Sequence, residues 1–239
     1  HEFYHKAIVL FKKNFEKLER SDRFIIGIML GTYCSKRDLS GDRDFTREHF
    51  NLYNFLLSRK IFSGIYGEFI PHQIYNDYAN KAAALKETGA IENLINNYAD
   101  MLHPDVRDKT QMRCRALLLI MKKDYGGAIE LLKSLNPADV KDKAELKILL
   151  AVVYYELGYI ENLLDLIETS KKFLFENRKI SDDRRNVMLG FFTALKKIVQ
   201  LKIGTADGYE IENLEKSIGS QKYVSFRFWL LEKTGELKS

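Results

Sequence analysis

From residue 70 to residue 203, apolar side chains recur three and four positions apart in runs of roughly twelve to twenty residues, and alternation of period two is nowhere sustained. That spacing places one apolar stripe on each of a series of helices. Stops and starts fall where such helices need them: Gly89 after Lys86 and Glu87, Pro104 after His103, Asn136 and Pro137 after Leu135, and Gly158 after Leu157. Asp142 and Glu145 have capping-box spacing, and Ser181 before Asp182 and Asp183 puts a cap and two anions at a positive helix end. The N-terminal third reads as helices over about 2–19, 22–36, 45–59 and from 71 onward, with turns at 37–44 and 63–67. Beyond 180, one long helix over 181–202 carries Val187, Phe191, Leu195, Ile198 and Leu201 on a stripe, and shorter helices follow a 204–208 turn, over 209–218 and 223–233.

An internal echo organises the middle of the chain. Gly89-Ala90-Ile91-Glu92-Asn93-Leu94 returns as Gly158-Tyr159-Ile160-Glu161-Asn162-Leu163, with Asp124-Tyr125-Gly126-Gly127-Ala128-Ile129 midway, so that Ile91, Tyr125 and Ile160 are 34 and 35 residues apart. Over about residues 75–176 the chain resembles the tetratricopeptide (TPR) repeat family. Ala82, Ala116 and Ala151 take the family's small slot, where two helices approach closely, and Leu85, Leu119 and Tyr154 the large slot after it. Gly89, Lys123 and Gly158 lie at the turns. In the second helices only Ala128 matches the expected small residue, beside Leu94 and Leu163, and the consensus Trp is absent, so the repeats are degenerate. The runs at 155–158, 173–181 and 229–233 also resemble uncharacterised helical-repeat proteins of Bacteroidetes-type bacteria, a likeness that adds no activity.

The expected fold is therefore all-α: a right-handed α-solenoid of antiparallel hairpins, a TPR-like superhelix. It is divided into divergent N-terminal hairpins (1–69), three TPR-like hairpins (70–176) and C-terminal capping helices (177–239). Forty-six per cent apolar residues supply a core, and three prolines leave no linker between separate globules. The net charge of +5 is interleaved with acids, as in Lys12, Lys13, Glu16, Lys17, Glu19 and Arg20, the pattern of solvated helix faces rather than of a basic stripe for nucleic acid.

Chemistry is sparse. Cys34 and Cys114 stand apart from one another and from any His pair, which reads as two buried, inert thiols in a reducing compartment, here taken as cytoplasmic. The longest apolar stretch, Phe24 to Leu30, is too short to span a bilayer and contains Gly27, so no membrane association is expected. The chain begins at His1 without an initiator Met, which leaves an upstream targeting segment or domain open.

Asp38, Ser40, Asp42 and Asp44 alternate like calcium ligands. Arg43 stands where the loop needs glycine and His49 where it needs a bidentate Glu, so no metal site is expected. The five histidines, His1, His5, His49, His72 and His103, show no ligand spacing, and GxSxG, P-loop and dinucleotide signatures are missing. The expectation is a protein that is not an enzyme and takes no cofactor.

What the resemblance implies is a concave face lined by the first helices of successive hairpins. Ala79, Ala83 and Lys86 point there from the first unit, Thr110, Arg113, Leu117 and Ile120 from the second, and Glu145, Ile148, Val152 and Tyr155 from the third. That face is mostly apolar, suited to a peptide or a partner helix, and lacks the Lys/Asn carboxylate clamp of some TPR proteins. Arg113, Leu117, Ile120, Ile148, Val152 and Tyr155 are the expected contacts with a protein partner. The alternative is that the chain's own flanking helices fill the same face. Two other functions stay open: a nucleic-acid-binding repeat, and a regulatory or sensor module of a larger protein.

Overall fold

A computed structural model describes residues 2–40, 42, 44–61, 69–137, 139–204, 207–222 and 224–238, and among these it is all-helical, with twelve α-helices and one isolated β-bridge between Ile70 and Leu102. The expected 63–67 turn, parts of the 37–44 and 204–208 turns, His1 and Tyr223 lie outside the described residues. The chain divides into two compact units, one of His1–Asp38 with Asp42–Gln111 and one of Met112–Ser239 with Leu39–Gly41. This division falls within one helix, away from the 69/70 and 176/177 boundaries suggested by the repeat.

The first unit contains α1 (Glu2–Asn14), a 3-10 turn (Phe15–Lys17), α2 (Arg20–Leu39), α3 (Asp44–Ser58), α4 (His72–Ala84), α5 (Thr88–Tyr98) and the start of α6 (Pro104–Met121). Gly27 and Gly31, one turn apart on the buried face of α2, let α3 come close. A Cβ on Gly27 would stand 2.9 Å from Leu56, and one on Gly31 would stand 3.2 Å from His49 Nε2. The glycine that interrupts the longest apolar run is thus a packing device. Tyr4, Phe11 and Phe15 close the other side of this core, with Tyr4 stacked on Tyr33 at 5.3 Å.

The second unit contains the rest of α6, then α7 (Tyr125–Ser134), α8 (Val140–Glu156), α9 (Ile160–Glu176), α10 (Asp182–Ile203), α11 (Gly208–Ser220) and α12 (Arg227–Glu236). Its central helix is α8, which buries Ala144, Ile148, Leu149, Ala151, Val152, Val153 and Tyr155 and so has no single apolar face. A helix apolar all round must be covered all round. Helices α7, α9 and α10 pack on it, and α12 reaches it through Trp229, whose ring stands edge-on to Tyr155 at 5.3 Å.

Three hairpin turns share one geometry. Lys86, Lys123 and Gly158 are left-handed (φ 60°, 63° and 72°) and each follows its helix end by two residues. The next residue donates its N–H five positions back: Glu87 to Ala82 at 2.8 Å, Asp124 to Leu119 at 2.9 Å and Tyr159 to Tyr154 at 2.9 Å. The left-handed residue itself bonds three back, to Ala83, Ile120 and Tyr155. This is the Schellman motif, which satisfies carbonyls that a helix end leaves open. Lys60 (φ 53°) ends α3 in the same way.

Two local expectations are corrected. Gly89 lies in the first turn of α5, and Lys86 makes the hairpin turn three residues earlier. The first hairpin is thereby registered on Ala79, in line with Ala116 and Ala151, all three fully buried, while Ala82 falls opposite Leu119 and Tyr154. The start of α8 is capped by Asp139, whose side chain accepts from the Lys141 N–H at 2.6 Å, so Asp142 is a first-turn residue and not the cap. Ser181 does occupy the N-cap position of α10, though its side chain makes no capping bond.

Candidate functional site

The six residues expected on an open concave face are all interior to the second unit, none more than 7% exposed. Arg113 donates to Glu145 at 3.0 Å, and the other Glu145 oxygen accepts from Arg184 of α10 at 3.2 Å. Ile148 and Val152 face outward from no side of α8, and Leu117 and Ile120 are buried on α6. Tyr155 carries Trp229 on one edge and the Lys202 ammonium 4.5 Å above its ring. Burial pushes the Tyr155 hydroxyl up to about 12. Trp229 is tied further by its indole N–H, which donates to Glu156 at 2.7 Å. Lys233, itself buried, bridges Glu156 at 2.9 Å and Glu236 at 2.7 Å. Helices α10 and α12 reach this part of the unit through Arg184 on Glu145 and Trp229 on Tyr155.

Polar groups cluster inside the first unit. Lys81 of α4 pairs with Asp38 of α2 at 2.6 Å, and the other Asp38 oxygen accepts from Thr46 of α3 at 2.5 Å. His49 is wholly buried beside them, 3.7 Å from Asp77, with no hydrogen-bond partner at either ring nitrogen. Burial holds it well below its ordinary value, at about 4, against the opposing pull of Asp77. At that distance the carboxylate does not compensate for loss of water, so the ring is neutral at pH 7.

Cys34 donates to the Tyr4 hydroxyl at 3.1 Å, and burial raises its thiol to about 11. Cys114 is raised to about 11 by the same cause. Neither thiol is a thiolate near neutral pH, which removes both as activated nucleophiles. Among the described residues no group of three His, Cys, Asp or Glu side chains is placed to hold a metal ion, and no helix is long and apolar enough to cross a membrane.

The first unit also holds a cavity of about 400 Å³. Helix α3 contributes Asn54, Phe55, Leu57 and Ser58, α4 contributes Tyr78, and α5 contributes Asn93, Leu94 and Tyr98. These residues come together because α4 packs between its two sequence neighbours. None of the eight carries a charge. Tyr78, buried and pushed up to about 12 by that burial, donates to Asn54 Oδ1 at 2.6 Å. Asn97 donates to Asn93 Oδ1 at 2.6 Å. With their carbonyls engaged, Asn54 and Asn93 offer N–H donors at a rim walled by aromatic rings.

Sequence reasoning missed this pocket because its residues look ordinary singly. The one signal was Asn93 within the repeated Ile-Glu-Asn-Leu run, which was read as a repeat marker only. Compared with known protein families, curated proteins and solved structures, the chain matches none.

Proposed function

We propose that this chain is a non-catalytic protein-interaction module, built on TPR-like hairpins of a right-handed α-solenoid, that receives an extended, uncharged peptide segment in the pocket between α3, α4 and α5. The repeated Schellman turn with Ala79, Ala116 and Ala151 buried at matching positions supports the TPR-like reading. The pocket carries the functional one. Its free polar groups are amide N–H donors, and its walls are Phe55, Tyr78, Tyr98 and leucines. None of the eight lining side chains is charged, and such a lining suits peptide carbonyls and uncharged side chains. A cytoplasmic setting is supported by two free, buried thiols.

The test is to pan a displayed heptapeptide library on the full chain and measure the enriched peptides by calorimetry. Enrichment of sequences without net charge is expected. Asn93→Trp, at an exposed rim position, should weaken them by about tenfold or more while leaving the melting curve unchanged. Peptides that bind Asn93→Trp as tightly as the wild type, or enrichment of strongly acidic sequences, would reject the pocket as the receptor.

A further inference from the structure

We infer that the outer face of α2 is an interaction surface for a second copy of this chain, packed antiparallel about a two-fold axis at Met29. The buried side of α2 is Gly27, Leu30, Gly31 and Cys34. Opposite it, Asp22, Ile25, Met29, Thr32, Tyr33 and Lys36 are all exposed, Met29 at 66% and Ile25 at 46%. Single exposed apolar residues are ordinary on any protein, but Ile25, Met29 and Tyr33 recur at a spacing of four and so form one short apolar stripe, flanked by Asp22 and Lys36 at its ends. With a rise of about 1.5 Å per residue the stripe runs about 21 Å.

The symmetry of the stripe selects its occupant. Ile25 and Tyr33 lie four residues on either side of Met29, and Asp22 and Lys36 lie seven on either side. An antiparallel copy therefore sets Ile25 against Tyr33, Met29 against itself, and each Asp22 against the other copy's Lys36. A parallel copy would set aspartate on aspartate and lysine on lysine. Neither Asp22 nor Lys36 has an ion pair within the described residues, so both charges are available. A two-fold contact must be self-complementary, and this stripe has that property in both shape order and charge.

Sedimentation velocity of the full chain over about 1 to 200 µM should show a concentration-dependent species of twice the 27.9 kDa monomer mass. Met29→Glu should raise the dissociation constant about tenfold or more, with an unaltered circular dichroism spectrum, because Met29 is 66% exposed. Met29→Ser serves as a second, uncharged variant. Asp22→Lys alone and Lys36→Asp alone should each weaken the dimer several-fold, and the double exchange Asp22→Lys with Lys36→Asp should restore it. Met29→Cys should cross-link to itself on mild oxidation, since Cys34 and Cys114 are buried. A chain monomeric throughout that range overturns the inference. So does a dimer indifferent to Met29→Glu, or a double exchange that leaves association as weak as the single variants.

Discussion

His49 shows how far one side chain's environment can depart from what its sequence position suggests. In the sequence it stood in the last place of a failed calcium loop; in the structure it is the most enclosed polar group of the first unit, tucked where Gly31 leaves room. Its folded pKa of about 4 lies below the 6.5 of an unfolded chain, so on acidification the unfolded chain takes up the proton first. Stability from this group is intact above about 6.5, falls as pH drops toward about 4, and levels off below that. The whole swing is about 3 kcal/mol. Asp77 and Lys81 of α4 and Asp38 of α2 also act on the ring electrostatically. The readout is therefore the difference between wild type and His49→Leu in urea unfolding from pH 7.5 to 4.5. The variant should lose that part of the acid slope and keep its stability at pH 7.5, since two unpartnered nitrogens leave with the ring. Parallel slopes for the two proteins would show that His49 does not titrate as a buried neutral group.

Helices were legible from apolar spacing because the stripe is local: α3 occupies Asp44–Ser58 where 45–59 was expected, and α10 occupies Asp182–Ile203 where 181–202 was expected. The register of the first hairpin was not. Sequence reasoning looked for glycine at the left-handed turn and found Gly89, whereas the chain places Lys86 there, as it places Lys123 in the second hairpin. A left-handed lysine is tolerated because two backbone bonds close the turn, yet it carries a steric cost that glycine avoids. Lys86→Gly and Lys123→Gly should each stabilise the chain by about 0.5 to 1 kcal/mol, after allowing for the freer unfolded glycine. Gly158→Ala should destabilise it by about 1 kcal/mol. Thermal melts of the three variants give the signs directly, and a stabilised Gly158→Ala would contradict the turn geometry.

At the scale of the whole chain, the candidate site was only half legible. Periodicity placed Leu117, Ile120, Ile148 and Val152 as inner-face positions of first helices, and in the structure each of them is buried. Trp229 reaches Glu156 from 73 residues further along and Arg184 reaches Glu145 from 39, and no local spacing encodes such contacts. The pocket of the first unit was invisible for the same reason, since Asn54, Tyr78 and Asn93 meet only once three helices are packed.

Burial of Leu117 and Val152 has a sharp consequence. If the face were open, Leu117→Asp with Val152→Asp would alter only its surface and leave folding alone. Both side chains are fully buried, however, so each carboxylate is forced into an apolar interior with no partner, at a cost of about 4 kcal/mol or more. Two such losses exceed the margin of about 5 to 15 kcal/mol at its lower half. Trp229→Ala is the graded companion: it strips the ring from Tyr155 and the N–H from Glu156, for about 3 to 5 kcal/mol, and should leave a folded but weakened protein. Trp229→Phe, which keeps an aromatic ring but loses the hydrogen bond and part of the indole's volume, should fall between it and the wild type. The expected order of melting temperatures is wild type, Trp229→Phe, Trp229→Ala, with the double aspartate variant losing the cooperative transition by circular dichroism. Retention of a wild-type melt by the double variant would mean that α10 and α12 leave the face open in solution.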